Sequence, residues 1–323
     1  MMGEKIDIVV CTDKWYVMPT GVMMYSVCVN NQDSDITFHI IVDESVTHKS
    51  KDDLKRTVER FVNKRVMFYE INSHLIENYP DREKKITITQ ASYYRLFLTD
   101  IVTPNINKVL YLDGDTIVRH SLTSLWETDL SGYALAAVTD MSSGKIEYYN
   151  RLRYPMELGY FNCGVLLINL DWWRKKNAVS LFIRYITNYS KRIKYQDQDV
   201  LNVVFSNQIL SLPVTYNFQH GFLKKIPDYD YWKYEKEVEE ARKDPIIVHY
   251  TLGKPWEKTI PDNHPFTSTF TKYQRQTIWR NCKKIDRRST ILKIRSVIGR
   301  ILRIFRLRQR SRSSIYIDVL PVD

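Results

Sequence analysis

Asp113 and Asp115 stand two residues apart at the end of the apolar run Lys108-Val-Leu-Tyr-Leu. Alternate carboxylates at a strand terminus can turn toward one point once the chain begins to bend, and Gly114 between them removes the side chain that would crowd that point. Paired hard oxygens suit Mn²⁺ or Mg²⁺ gripping a diphosphate, so a nucleotide-sugar enzyme is the first reading. The spacing alone is common: Asp33-Ser-Asp35, Asp197-Gln-Asp199 and Asp228-Tyr-Asp230 repeat it. Asp33 and Asp35 follow a polar turn-like stretch, and Asp228 and Asp230 lie among Pro, Tyr and Lys. Only the pair at 113 and 115 closes a run that reads as a buried strand.

Such a pair needs a frame. Residues 6–12 read as the buried first strand of a parallel sheet, and 37–43, 66–70, 108–112, 133–140 and 165–169 as further strands. Residues 17–30 and 49–62 carry apolar positions at helical spacing, and 89–98 looks helical. Alternation of strand and helix predicts an α/β fold with an open, mostly parallel, Rossmann-like sheet, whose ligands bind beyond the carboxyl ends of the strands. Asp13, Asp113 and Asp115 fall at such ends. No G-x-G-x-x-G follows the first strand, which argues against a dinucleotide oxidoreductase. Near residue 262 the pattern changes, with Pro261 and Pro265 bounding a linker. The expected division is a catalytic domain, 1–262, and a C-terminal segment, 263–323.

The chain has 323 residues, 44% of them hydrophobic, which is ample for a packed core. The formal charge of +11 is local. Of 48 basic and 37 acidic residues, 12 basic and one acidic lie between Lys283 and Arg312, leaving 36 of each elsewhere. The balanced body argues against a nucleic-acid-binding surface there. Four cysteines without C-x-x-C spacing fit a reducing compartment. The N-terminal apolar run is too short for a signal peptide, and no apolar stretch of about 18 residues predicts a transmembrane helix.

Several separated motifs agree in order and spacing: Ser92-Tyr-Tyr-Arg95-Leu, Tyr111-Leu-Asp-Gly-Asp115, Tyr160-Phe-Asn162-Cys-Gly164-Val-Leu-Leu-Ile-Asn169, Tyr195-Gln-Asp197-Gln198-Asp199, and His249-Tyr followed by Lys254-Pro-Trp256. Over residues 6–260 the chain resembles the family 8 retaining glycosyltransferases, closest to the bacterial lipopolysaccharide galactosyl- and glucosyltransferases. The resemblance implies a GT-A type sheet, a divalent metal, usually Mn²⁺, and transfer of a hexose from a UDP-sugar with retention. It makes Asp113, Asp115 and His249 the metal ligands, the imidazole favouring Mn²⁺ over Mg²⁺. Lys254 would lie against the leaving diphosphate, with Gly253 beside it. The spacing from His249 to Lys254 is shorter than is common in the lipopolysaccharide subgroup. Cys11, Asp13 and Tyr16 match the first loop, where uracil is held, and Lys14 and Trp15 depart from its usual sequence. Arg95, Asp113, Gly114, Asp115, Asp140 and Asn162 match donor-binding positions. Asp197 and Gln198 match positions on the donor sugar, with Asp199 a further carboxylate candidate. Either aspartate could instead cap the helix that opens there. A carboxamide is a poor nucleophile, so front-face attack is preferred to a covalent intermediate.

The C-terminal stretch carries Ile291, Ile294, Ile298, Ile301 and Phe305 at steps of three and four, among Lys293, Arg295, Arg300, Arg303, Arg306 and Arg308. Such a basic amphipathic helix, over 286–312, should lie on an anionic bilayer. A nucleic-acid-binding arm would not need the apolar stripe. The combined expectation is a cytoplasmic enzyme on the inner face of the cytoplasmic membrane that transfers galactose or glucose to a lipopolysaccharide core or another saccharide or glycolipid. A glycogenin-like or protein-directed transferase, or a non-catalytic nucleotide-sugar-binding protein, is the competing expectation.

Overall fold

A computed structural model describes residues 4–80, 90–223, 234–258 and 264–285. Among the described residues, ten strands form two sheets: β1 (Lys5–Thr12), β2 (Asp35–Val42), β3 (Lys64–Glu70), β4 (Lys108–Leu112), β5 (Thr116–Val118), β6 (Leu135–Thr139), β7 (Phe161–Asn169), β8 (Ile209–Ser211), β9 (Phe218–Gln219) and β10 (Ile247–His249). The large sheet has the order β3-β2-β1-β4-β7-β6-β8. All its strands run parallel except β7, which is antiparallel to both β4 and β6. The expected α/β, mostly parallel architecture is therefore present. β1 is buried nearly throughout, as a strand covered on both faces must be, and its Ile and Val residues suit that position.

The small sheet, β5-β10-β9, brings the distant site residues together. β10 runs antiparallel to β5 with His249 opposite Thr116, the residue after Asp115. The Tyr250 N–H donates to the carbonyl of Asp115 at 3.0 Å. A histidine and a carboxylate far apart in sequence thus become neighbours through backbone pairing alone.

Helices α1 (Val17–Asn30) and α2 (His48–Glu59) match the expected spacing. Residues 89–98 differ: Gln90–Phe97 forms a 3₁₀ helix, followed by one α turn, Leu98–Ile101. Its apolar side chains pair three residues apart, Tyr93 with Leu96 and Tyr94 with Phe97, and all four are buried. Threefold winding eclipses such pairs and sends them into one core.

Residues 264–285 join the same core as the sheet. Phe270 packs on Trp256 with ring centroids 5.0 Å apart, and Asn30 Nδ2 donates to Tyr273 Oη at 2.8 Å. A Cβ on Gly21 of α1 would lie 2.0 Å from the Trp279 ring, so glycine is required for that indole to seat. Among the described residues the packed unit continues through Ile285, past position 262, where the change of sequence pattern suggested a division. The expected amphipathic segment, 286–312, lies outside the described residues. No described helix is long and apolar enough to cross a membrane.

Candidate functional site

A cavity of about 500 Å³ opens at the carboxyl ends of β1 and β4. Asp113, Gly114 and Asp115 line it at the turn from β4 into β5, and His249 enters from the end of β10. His249 Nε2 lies 3.3 Å from Asp115 Oδ1 and 3.9 Å from Asp113 Oδ2. Ligand atoms from the three residues fall within 4.8 Å of one another. His249 Nδ1 is engaged by Asn217 Oδ1 at 2.9 Å, an acceptor, so Nδ1 carries a proton and, in the neutral ring, Nε2 holds the lone pair that faces the carboxylates. Two carboxylate oxygens and one imidazole nitrogen converging in this way fit Mn²⁺ better than Mg²⁺.

Two backbone openings make room for this arrangement. A Cβ on Gly164 of β7 would lie 2.1 Å from His249 Cε1, and a Cβ on Gly114 would lie 2.4 Å from Thr20 Oγ1. Glycine at 164 therefore lets the imidazole rest directly over the strand.

Buried cations hold the carboxylates. Arg95 donates through Nη2 to Asp113 Oδ1 at 2.8 Å, through Nε to the Ser92 carbonyl at 3.0 Å, and through Nη1 to the Cys163 carbonyl. Its guanidinium lies 4.0 Å from the Tyr111 ring centroid, and its Nε is 3.1 Å from Asp197 Oδ2. The Tyr111 hydroxyl also donates to Asp113 Oδ1, at 2.9 Å. Lys254 pairs with Asp115 Oδ2 and donates to the Tyr250 carbonyl at 2.5 Å. Burial raises the proton affinity of Asp115, but the Lys254 ammonium, with the His249 ring beside it, outweighs that and holds the carboxyl below its usual range. Burial and the charge of Asp113 push Asp197 up to about 6, against the opposing pull of Arg95.

Asp140, Asn162, Asp197 and Gln198 also line the cavity. Asp140 Oδ1 accepts from the Ser142 N–H at 2.8 Å, and its Oδ2 accepts from Asn162 Nδ2 and Gln198 Nε2, each at 3.1 Å. Burial raises the Asp140 carboxyl above its usual range despite these donors. Gln198 Oε1 accepts from the Cys163 N–H at 3.2 Å and from Asn162 Nδ2 at 3.3 Å. Asn162 Oδ1 accepts from the Gly164 N–H at 3.0 Å and from Asn217 Nδ2 at 2.9 Å. Every hydrogen-bonding position of Asn162 is thus filled by protein, making it an organiser of its neighbours. The helix Gln196–Val204 that carries Asp197 and Gln198 begins at a left-handed residue, Gln196 with φ 47°, a strain that turns the two side chains into the cavity.

At the first loop, Asp13 Oδ1 accepts from the N–H groups of Trp15 and Tyr16 at 2.8 and 3.2 Å. Tyr16 meets Trp256 edge-on, with centroids 6.2 Å apart. Cys11, Asp13 and Tyr16 all line the cavity. Burial raises the Cys11 thiol to about 12, so it is not a thiolate near neutrality.

Two expected residues lie apart from the cavity wall. Asp199 is fully buried, and its carboxylate accepts from Arg151 Nη1 and Nη2 at 2.7 and 3.1 Å, Tyr160 Oη at 2.7 Å, and the N–H groups of Lys194 and Tyr195 at 2.6 and 2.7 Å. Five donors saturate it; the N-cap of the helix is Tyr195, without a side-chain cap, so Asp199 ties the helix to the loop before it rather than capping it. Gly253 does not line the cavity and instead approaches the His220 ring. Residues that sequence reasoning passed over include Asn217, buried beneath His249, and Lys145 and Tyr148 on the cavity wall. Asn217 follows a short 3₁₀ turn and had no motif to mark it. Tyr148 was visible only as an aromatic in a tyrosine-rich stretch.

With the geometry established, comparison with known proteins identifies the lineage. Residues 7–260 match the sequence model of glycosyl transferase family 8. General stress protein A of Bacillus subtilis is 28% identical over 281 residues, 85% of this chain and 95% of that protein. A lipopolysaccharide 1,2-glucosyltransferase of Escherichia coli is 27% identical over 261 residues, 79% of this chain and 74% of its own. The crystal structure of the galactosyltransferase LgtC in complex with donor and acceptor sugar analogues superposes with a TM-score of 0.75 at 27% identity, covering 84% of this chain and 96% of that one.

Proposed function

The chain belongs to glycosyl transferase family 8 and is a glycosyltransferase, and from that premise we propose that it is a metal-dependent, retaining hexosyltransferase using UDP-galactose or UDP-glucose. The observation that carries this reading is the convergence of Asp113, Asp115 and His249 in a cavity that also contains Asp140, Asp197 and Gln198. Asp113, Asp115 and His249 would hold Mn²⁺, or Mg²⁺ less well. When bound, the ion supplies a compact positive charge for the donor diphosphate.

The chain's own residues account for the remaining work. Asp13 and Tyr16 sit at the loop where the base would bind, and Lys254 supplies a second positive charge for the leaving UDP. Arg95 holds the Asp113 carboxylate in place, and reaches Asp197 with the same guanidinium. Asp140 and Asp197 accept hydrogen bonds from sugar hydroxyls. Gln198, held by Cys163 N–H, Asn162 and Asp140, positions a neutral dipole at the sugar. Retention then follows a front-face course: the bond from the anomeric carbon to the UDP oxygen breaks, the acceptor oxygen bonds to that carbon on the same face, and its proton passes to an oxygen of the leaving diphosphate.

For the acceptor we favour a lipopolysaccharide core or similar cell-surface glycolipid, which accords with the lipopolysaccharide glucosyltransferase relative and with the basic, apolar-striped sequence 286–312. On this reading the enzyme works at the inner face of the cytoplasmic membrane. The test is a screen of UDP-sugars with Mn²⁺ that follows UDP release, with and without chelator. UDP release from one UDP-hexose, abolished by chelator and restored by Mn²⁺, is the expected result. Equal turnover in chelator would reject the metal site.

A further inference from the structure

Gly164 N–H donates to Asn162 Oδ1, and a peptide N–H cannot accept, so this contact sets the polarity of the side chains behind it. It turns the carbonyl end of Asn162 toward β7 and the amide end toward Asp140 and Gln198. The second lone pair of Asn162 Oδ1 takes Asn217 Nδ2 at 2.9 Å, which leaves the carbonyl end of Asn217 facing His249 Nδ1, also at 2.9 Å. That oxygen only accepts, so Nδ1 must be the protonated ring nitrogen. In the neutral ring Nε2 is then the electron-pair donor, 3.3 Å from Asp115 Oδ1. Asn217 is fully buried, so either bond, once lost, leaves a buried polar group unpaired.

We infer that Asn217 is a positioning residue that locks His249 in its metal-binding tautomer and ties it, through Asn162, to the Asp140–Gln198 pair at the sugar side of the cavity. The inference rests on the reading of His249 as a metal ligand. Asparagine is suited to the position because it accepts at one end and donates at the other. An aspartate would still accept from His249 but would oppose Asn162 Oδ1 with a second acceptor. The two halves of the role can therefore be separated by substitution.

The experiment measures Mn²⁺ affinity of the full chain by the paramagnetic resonance signal of free Mn²⁺, with no donor present, alongside kcat and KM for UDP release. Asn217→Ala loses both bonds and should weaken Mn²⁺ binding about 10–100-fold. Asn217→Asp should keep Mn²⁺ affinity within about twofold of wild type yet lose at least about tenfold in kcat. A residue that merely fills space would lower both quantities in both variants. If Asn217→Ala does not fold, Asn217→Asp decides the matter alone: wild-type kcat, or lost Mn²⁺ affinity, overturns the inference. Wild-type Mn²⁺ affinity in a folded Asn217→Ala overturns it too, with the metal site intact. A wild-type chain that binds no Mn²⁺ removes the metal site and this inference with it.

Discussion

Gly164 lies beneath the imidazole of His249 so closely that a Cβ there would stand 2.1 Å from Cε1, 2.6 Å from Nδ1 and 2.9 Å from Nε2. A methyl group cannot be accommodated unless the ring moves, and the ring is held at Nδ1 by Asn217. Gly164→Ala should therefore weaken Mn²⁺ binding by about tenfold or more, on the scale known for misplaced ligands. Titration of Mn²⁺ into the variant checks this. Wild-type affinity would mean that His249 is not a ligand.

Asp197 offers a test by pH. Its carboxyl is raised to about 6 by burial and by Asp113, with Arg95 opposing. If the carboxylate receives sugar hydroxyls, kcat/KM should fall as the pH drops through about 6, and Asp197→Asn should be slower and lack that limb. Stability runs the opposite way. A carboxyl with a raised folded-state pKa binds its proton more tightly in the native chain, so its contribution is fully present below about 4 and is lost as the pH rises through 6. The difference in unfolding free energy between wild type and Asp197→Asn should thus move in favour of wild type by up to about 3 kcal/mol on going from pH 7 to pH 4. A flat difference across this range would contradict the assignment.

Gln198 distinguishes the two routes to retention. A residue that only positions and stabilises charge should lower kcat by about 10–10³-fold when replaced by Ala, equivalent to roughly 1.4–4 kcal/mol, with UDP affinity little changed. An obligatory nucleophile would leave almost no turnover and would carry a hexose. Intact-mass measurement of wild type and Gln198→Glu with donor alone separates them. A hexose adduct on the wild type would refute front-face attack, whereas an adduct only on the glutamate variant shows that a nucleophile can be installed there.

The position of Trp279 on Gly21, and of Phe266 and Phe270 in the core, bears on where the chain can be cut. Truncation after residue 285 should preserve the melting temperature and turnover on a soluble acceptor, while release from anionic vesicles would report the role of the removed basic segment. Truncation after residue 262 strips three large aromatics from the core, each worth roughly 1.5–3 kcal/mol, and should give an unstable, aggregating product. Equal melting temperatures for the two truncations would show that 264–285 packs only loosely.

Local sequence determined β1 and β4 and their ends. β1 and β4 are short apolar runs that terminate in polar residues, so Asp13, Asp113 and Asp115 could be assigned to the mouth of a parallel sheet before any contact was known. The pairing of Asp113 and Asp115 is equally local, since it depends only on strand period and on a glycine. The partners of these groups depend on chain crossings that period and propensity do not encode. His249 reaches Asp115 because β10 pairs with β5; the run ending at His249 reads as a strand, but which strand it pairs with is not encoded in either three-residue segment. The same limit concealed Asn217, whose importance comes from lying between a histidine 32 residues away and an asparagine 55 residues away. Asp197 and Asp199 show the difference within a single turn of helix. The i and i+2 residues of a helix point in different directions, so one carboxylate faces the cavity and the other is consumed by Arg151, Tyr160 and two peptide N–H groups. Spacing could propose both as chemical groups, but only the packing around each decided which remained available to a substrate.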